Sequence, residues 1–241
     1  MQVFLADLKA GKVDIALINT FGYLLLATER RNPMETLAAL EVDPAVRDNY
    51  KTMLVAHPSV AVDNAAQLRE KAKEYQFLFV AEGSTSGNLV PRMYLNSIGI
   101  ANPEGAFKRV GYGGNHTTTL AQVVAGQADL GAFGSEEYHK LLARDPAAKD
   151  KVKVLWLSDE ITLGPLLARK ALPQAMREKL KTVLLTLHET HPEAFNAVKA
   201  GWSEAKGAVR YRLVDDGYYD SFRNLMGNQA ALISILNQFT R

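Results

Sequence analysis

The chain has 241 residues, 47% hydrophobic and 22% charged, a globular composition with enough apolar material for one large domain or two lobes, which excludes a disordered chain. The formal charge is only +2, from 28 basic against 26 acidic residues, and no Lys/Arg run is longer than the pair Arg30-Arg31, which argues against a nucleic-acid groove. Cysteine is absent, so a disulfide framework, a zinc finger and a cysteine nucleophile are excluded together, and no apolar run approaches the ~18 residues of a membrane span.

The opening Met1-Gln2-Val3-Phe4 lacks the basic start and long apolar stretch of a signal peptide. Strands are expected over 13–18 and 52–56, then over 77–81, which runs into the hydroxyl-rich turn Glu82-Gly83-Ser84-Thr85-Ser86-Gly87-Asn88 and a helix over 88–97. A strand over 107–110, a helix over 117–125 and strands over 129–133, 152–157 and 166–168 follow. The C-terminal third reads as helix over 173–190 and 219–239, with Pro192 ending or kinking the first. Short apolar runs alternating with longer amphipathic ones predict an α/β chain with a parallel sheet.

One pattern is internal. Ala10-Gly11-Lys12-Val13-Asp14-Ile15 recurs as Ala125-Gly126-Gln127-Ala128-Asp129-Leu130, and the same offset of 115 residues relates Tyr23 to Tyr138. In each copy a helix stops at a glycine suited to the left-handed C′ position, and a buried strand follows the aspartate. Chance matching of a common turn is the bland reading; a two-lobe duplication is the sharper one. Under the offset Met1 corresponds to His116, so the first copy has no counterpart of residues 77–115. The first lobe is therefore expected to lack a strand-helix-strand and to expose a sheet edge, with weak or absent ligand binding if 1–241 is all that is made. Two extended segments bracket the second copy and are expected to be crossover strands and hinges, near 52–58 and 152–159. Lobe 1 would then be 1–51 plus 159–241 and lobe 2 would be 58–157, with a ligand cleft between them at the carboxyl ends of strands.

The hydroxyl turn is the chemistry-bearing element. A helix starting near Ser86 leaves its first N–H groups unpaired beside the positive end of its dipole, so anions bind there. Ser84, Thr85 and Ser86 add neutral donors, and Gly83 and Gly87 permit close backbone approach. The alternative is that one hydroxyl merely caps the helix. The next turn, Gly111-Tyr112-Gly113-Gly114-Asn115-His116, repeats the design: Asn115 can cap, and His116 can donate an imidazole N–H to an oxyanion or be an ordinary surface residue. His57, His139, His188 and His191 lack such placement. The hydrolase elbow fails because Thr85 stands centrally between Gly83 and Gly87. The P-loop fails for want of Gly-Lys-Ser/Thr, and no residue cluster suggests a metal or cofactor.

These residues resemble the phosphate/phosphite/phosphonate substrate-binding proteins of ABC transporters, a branch of the type II periplasmic binding proteins. The resemblance rests on residues 8–16 with 19–23, on Gly83-Ser84-Thr85-Ser86-Gly87 with Leu89-Val90-Pro91, on His116 with Gly126-Gln127-Ala128-Asp129, on Trp156-Leu157-Ser158 with Ile161 and Pro165, and on residues 216–219. It implies a two-lobed clamp that captures a phosphorus oxyanion without chemistry and presents it to a membrane permease. The protein would be periplasmic or a cell-surface lipoprotein, monomeric when complete, with no enzyme activity, cofactor or nucleic-acid partner. Carried over by position, Ser84, Thr85, Ser86 and His116 are ligand residues of one lobe. Tyr50 is the aromatic ligand from the other side, or a tyrosine packed at a loop end. Glu136 stands where an acidic residue meets the amino group of an aminophosphonate, or is a first-turn charge. Members that bind aminophosphonates carry an aspartate before the proline of the returning crossover; here Gly164 precedes Pro165, which favours phosphate, phosphite or a simple phosphonate. The competing readings are a receptor sensor domain for the same ligands and an enzyme on the same scaffold.

Overall fold

Both copies of the internal repeat fold alike, hydrogen bond for hydrogen bond. At the first, Ala10 N–H donates to Ala6 O (2.9 Å), Gly11 to Leu8 (3.1 Å) and Lys12 to Asp7 (3.0 Å); at the second, Ala125 donates to Ala121 (3.0 Å), Gly126 to Val123 (3.0 Å) and Gln127 to Gln122 (2.9 Å). The glycines sit at φ +68° and +67°, where a Cβ is strained. The aspartate backbones close the turns on a neighbouring strand: Asp14 O accepts from Arg169 N and Asp129 O from His57 N, each at 2.8 Å. Replacing Gly11 or Gly126 by alanine should each cost roughly 1–2 kcal/mol, the price of left-handed backbone. Matched falls in thermal midpoint would show the two turns to be energetically equivalent.

The computed structural model describes residues 1–43, 45–46, 50–224 and 229–239. In chain order the helices are α1 Gln2–Lys9, α2 Thr20–Ala27, α3 Ala65–Lys71, α4 Val90–Ser97, α5 Pro103–Ala106, α6 His116–Val124, α7 Glu136–Arg144, α8 Gln174–Thr190, α9 Pro192–Ala200, α10 Asp220–Arg223 and α11 Gln229–Asn237. The strands are β1 Ile15–Leu17, β2 Met34–Val42, β3 Thr52–Ala56, β4 Gln76–Phe79, β5 Arg109–Tyr112, β6 Leu130–Gly134, β7 Lys153–Leu157, β8 Pro165–Arg169 and β9 Ala208–Leu213. Among the described residues no helix is long and apolar enough to cross a membrane.

The chain forms two units. The first contains 1–49 and 162–225, the second 50–161 and 226–239. The first unit's sheet runs β1-β8-β2-β9, and every hydrogen-bonded pair in it is antiparallel. The expected parallel sheet is thus corrected here. β1 and β2 point the same way, with α2 as the crossover between them, but β8 inserts between the two and runs opposite to both. Tyr23 of α2 and Tyr219 pack at a centroid distance of 4.6 Å, and the Tyr23 hydroxyl donates to Asp216. Burial, followed by that carboxylate, pushes the Tyr23 phenol upward.

The second sheet runs β5-β4-β6-β3-β7, with β5, β4 and β6 parallel and β3 antiparallel to β6 and β7. Its central strands are buried on both faces, so they read as continuous apolar runs. Leu54, Ala56, Phe77, Phe79, Leu130 and Ala132 pack on one side. Met53, Val55, Leu78, Val80 and Phe133 pack on the other with Leu120 and Val123 of α6. Each fully buried side chain of this size contributes roughly 1.5–3 kcal/mol, so this sheet is a rigid platform for the turns at its ends.

The helix expected over 173–190 ends at Thr190, as a proline at 192 requires, and Pro192 opens the next helix at its first turn, where a missing N–H costs nothing. One further expectation is corrected. The segment expected as one helix over 219–239 is a 3₁₀ turn at Asp216–Tyr219, then α10, then α11, with 225–228 outside the described residues. α11 packs on α4 and so belongs with the second unit rather than the first lobe.

Candidate ligand-binding site

β4 ends at Phe79 and the chain enters the turn through Val80 N–H, which donates to Gly87 O at 2.9 Å. The turn then winds as a π turn, Thr85–Leu89, ahead of α4: Leu89 N–H donates to Ser84 O (3.1 Å) and Val90 N–H to Thr85 O, both five residues back. Gly87 is required for contact: a Cβ there would lie 2.3 Å from a Val80 methyl. Thr85 and Ser86 are 1% and 0% exposed.

The three hydroxyls divide their work. Ser84 Oγ accepts from Gly87 N–H at 3.0 Å, so it performs the capping role, with its own proton still available to donate. Ser86 Oγ is fully buried and meets no hydrogen-bond partner among the described residues. Leaving such a group unpaired costs about 1–3 kcal/mol, an expense that a bound acceptor would remove. Ser86 is otherwise tightly held: Thr52 Oγ1 donates to its carbonyl (2.7 Å), and its N–H donates to Tyr50 Oη (3.2 Å). Tyr50 was expected to reach the turn from the other lobe; it stands at the start of the second unit, on the same side of the division as the turn.

The second turn is built on the end of β5 and tied to β4. Gly113 N–H donates to Phe79 O and Gly114 N–H to Val80 O, each at 2.8 Å. Gly113 is packed so closely that a Cβ would meet Thr119 Oγ1 at 2.2 Å, and Gly114 takes φ +89°. Asn115 then caps α6, its Oδ1 accepting from Thr118 N–H at 2.8 Å. His116, the first helical residue, accepts from Gly134 N–H through Nδ1 at 2.9 Å. A neutral ring bonded this way carries its proton on Nε2, the donor an oxyanion needs.

Gly134 is also where Glu136 arrives. A Cβ at 134 would meet Glu136 Oε2 at 2.5 Å, so the missing side chain lets the carboxylate fold over the end of β6. Glu137 beside it bonds Thr117 and Lys140; burial works against its charge, but those partners hold its carboxyl below the ordinary range. Because β3 runs antiparallel, Thr52 pairs with Gly134, which brings the start of β3 to the carboxyl ends of β4 and β6. Ser84, Thr85, Ser86, Tyr50, His116 and Glu136 therefore lie on elements meeting at one end of one sheet, linked through Thr52 and Gly134. His57 is elsewhere, bonded to Ser59 at the far end of β3 (2.7 Å). Among the described residues no cluster of His, Asp or Glu is suited to a metal.

Sequence reasoning passed over Thr52, Asn88 and Arg92. Asn88 is fully buried; its Nδ2 donates to Glu82 O and its Oδ1 accepts from Arg92 Nε, both at 2.7 Å. Arg92, 3% exposed, forms a two-pronged pair with Glu104 at 3.1 and 2.5 Å and lies 4.3 Å over the Phe79 ring. The available signal was Asn88 and Arg92 four residues apart in an otherwise apolar stretch. Burial opposes the Glu104 charge, but Arg92 outweighs it and holds the carboxyl below its ordinary 4.5. A depressed folded value means the pair stabilises above that ordinary value and is lost as pH falls through the folded one. Thermal midpoints between about pH 3 and pH 6 should therefore fall less steeply in Glu104→Gln than in wild type.

A family model described as "ABC transporter, phosphonate, periplasmic substrate-binding protein" matches residues 1–219. The chain belongs to this family. Among curated relatives of this phosphonate-binding family member is the "Probable ABC transporter phosphite binding protein PhnD1" of Prochlorococcus marinus (strain MIT 9301), 27% identical over 65% of this chain and 57% of that protein. The "Phosphonates-binding periplasmic protein" of Escherichia coli (strain K12) is 26% identical over 91% of this chain and 64% of its own length. The chain thus spans less than two thirds of the length of these curated relatives. The solved structure of Prochlorococcus marinus PhnD1 with methylphosphonate matches 98% of this chain and 83% of that one, at a TM-score of 0.69 and 19% identity, and so shares the fold of this binding-protein family.

Proposed function

We propose that the chain captures a phosphorus oxyanion, namely phosphate, phosphite or a simple phosphonate, and delivers it to the membrane permease of an ABC importer. It would work in the periplasm or at the cell surface, as a monomer without nucleic-acid partners or catalysis. The observation that carries this reading is the Ser86 hydroxyl, fully buried and unpartnered in a π turn at a helix start. A tetrahedral oxyanion there would accept from Ser86 Oγ, from the proton of Ser84 and from Nε2 of His116, each bond strengthened by the ligand's charge.

The family name, the relative named for phosphite and the solved structure holding methylphosphonate support the same ligand class. Within that class, ligands with an ammonium group are disfavoured. The aspartate expected to meet such a group is replaced by Gly164, where a Cβ would stand 1.9 Å from Ile18 O, so no side chain fits. Isothermal calorimetry with phosphate, phosphite and methylphosphonate tests the proposal. At least one should bind, with Ser84→Ala and Ser86→Ala weakening it; silence from all three anions would sink the assignment.

A further inference from the structure

Arg92 is a buried cation with no place in the ligand set just described. Its guanidinium is engaged from three directions: Nε on Asn88, both terminal nitrogens on Glu104, and the flat face over Phe79. It also approaches Tyr112 Oη at 3.5 Å, at the end of β5. A buried charge that served packing alone would be replaceable by a hydrophobic residue, often with a gain in stability. Here its geometry has a second effect.

Arg92 has only donors, so Asn88 must turn Oδ1 towards it, and the amide Nδ2 is then aimed at Glu82 O. The Asn88 side chain thereby ties the entry of the turn at residue 82 to its exit at residue 88. With Val80 N–H on Gly87 O and Thr52 Oγ1 on Ser86 O, the three hydroxyl residues are clasped at both ends. Ordering such a loop only on binding costs roughly 1–2 kcal/mol per residue, which would be subtracted from affinity.

We infer that Arg92 is a positioning residue for oxyanion capture: acting through Asn88, it holds residues 84–86 in binding geometry before the ligand arrives. The inference rests on the proposed function for its effect on affinity, but not for its effect on the turn. Two variants separate the roles. Asn88→Asp keeps the bond to Arg92 and replaces the donor facing Glu82 O by an acceptor. Arg92→Lys keeps the charge but has one ammonium where the guanidinium reached both Asn88 and Glu104.

Amide hydrogen exchange on the ligand-free protein is read together with calorimetry of phosphite, or of phosphate or methylphosphonate where the wild type binds one of those instead. In both variants the Gly87 and Leu89 amides should exchange roughly tenfold faster, while the central strands β3 and β6 keep wild-type protection; that anion should bind roughly tenfold more weakly, about what one hydrogen bond supplies. A merely structural arginine would instead loosen the whole sheet. Uniform acceleration, or wild-type exchange at Gly87 and Leu89 in either folded variant, overturns the inference. Faster local exchange with undiminished anion binding overturns its role in capture. A wild-type protein silent to all three anions sinks the proposed function, and with it the role in capture, while the exchange result still decides the clasp.

Discussion

Gly164→Ala will part β1 from β8 in the first unit's sheet and destabilise that unit. The added Cβ would stand 1.9 Å from Ile18 O and 2.6 Å from two backbone atoms of Asn19. These obstacles are main chain, not the yielding end of a flexible side chain, and the main chain is anchored. Ile18 N–H donates to Pro165 O at 3.1 Å, β1 pairs with β8 through Ile15–Leu17, and Asn19 caps α2 by accepting from Gly22 N–H at 2.8 Å. Relief requires β8 to part from β1. The expected loss exceeds about 3 kcal/mol, the upper range of overpacking. Trp202 lies in the first unit and Trp156 in the second, so urea unfolding followed by fluorescence of single-tryptophan forms should show the Trp202 transition shifted most. A wild-type midpoint would show that the contact is relieved at little cost. By the same geometry, Gly164→Asp should not create an ammonium-binding site.

His116→Asn will cost more affinity than stability, and His116→Gln will do the reverse. Nδ1 of the imidazole accepts from Gly134 N–H, and under the proposed binding mode Nε2 would donate to the oxyanion. Asparagine places its Oδ1 near the former Nδ1, so the buried Gly134 N–H keeps an acceptor while the ligand loses its donor. Glutamine reaches the Nε2 position with an amide N–H but abandons Gly134, at about 1–3 kcal/mol for an unsatisfied buried group. A bond to a charged partner is worth about 1.5–3 kcal/mol, so phosphite should bind roughly 10- to 150-fold more weakly to His116→Asn. Calorimetry paired with thermal unfolding of both variants checks this; equal affinity in His116→Asn and wild type would remove His116 from the site.

Strands whose residues are apolar and rich in β-branched or aromatic side chains, β3 and β4 above all, were legible because both faces of the second sheet are buried. β2 was not. Its Met-Glu-Thr-Leu-Ala-Ala-Leu-Glu-Val has the composition of a helix, and only its place between β8 and β9 makes it a strand. Strand direction in the first unit was equally hidden, since the insertion of β8 between β1 and β2 depends on residues about 130 to 150 positions away. At the site, the hydroxyl turn, the Asn115 cap and His116 were visible because each is a local signal at a strand-helix junction. The division of labour between Ser84 and Ser86 was not, as it depends on where the helix starts. Tyr50 and Thr52 were hard to connect to Ser86 because they meet it across more than thirty residues of chain.

The turn that carries these hydroxyls also constrains how the segment can change length. A π turn is an α-helical turn holding one residue too many, and here both of its signature bonds span Ser84 to Leu89 and Thr85 to Val90. Removing a single residue between Ser84 and Leu89 would let the segment relax into ordinary helix. The helix would gain regularity, yet every side chain before the deletion would swing by about 100° around its axis. Point substitutions within the turn dim one donor at a time, whereas a one-residue deletion would scatter the whole set. Spacing, more than the identity of any one hydroxyl, is therefore what this turn's geometry depends on.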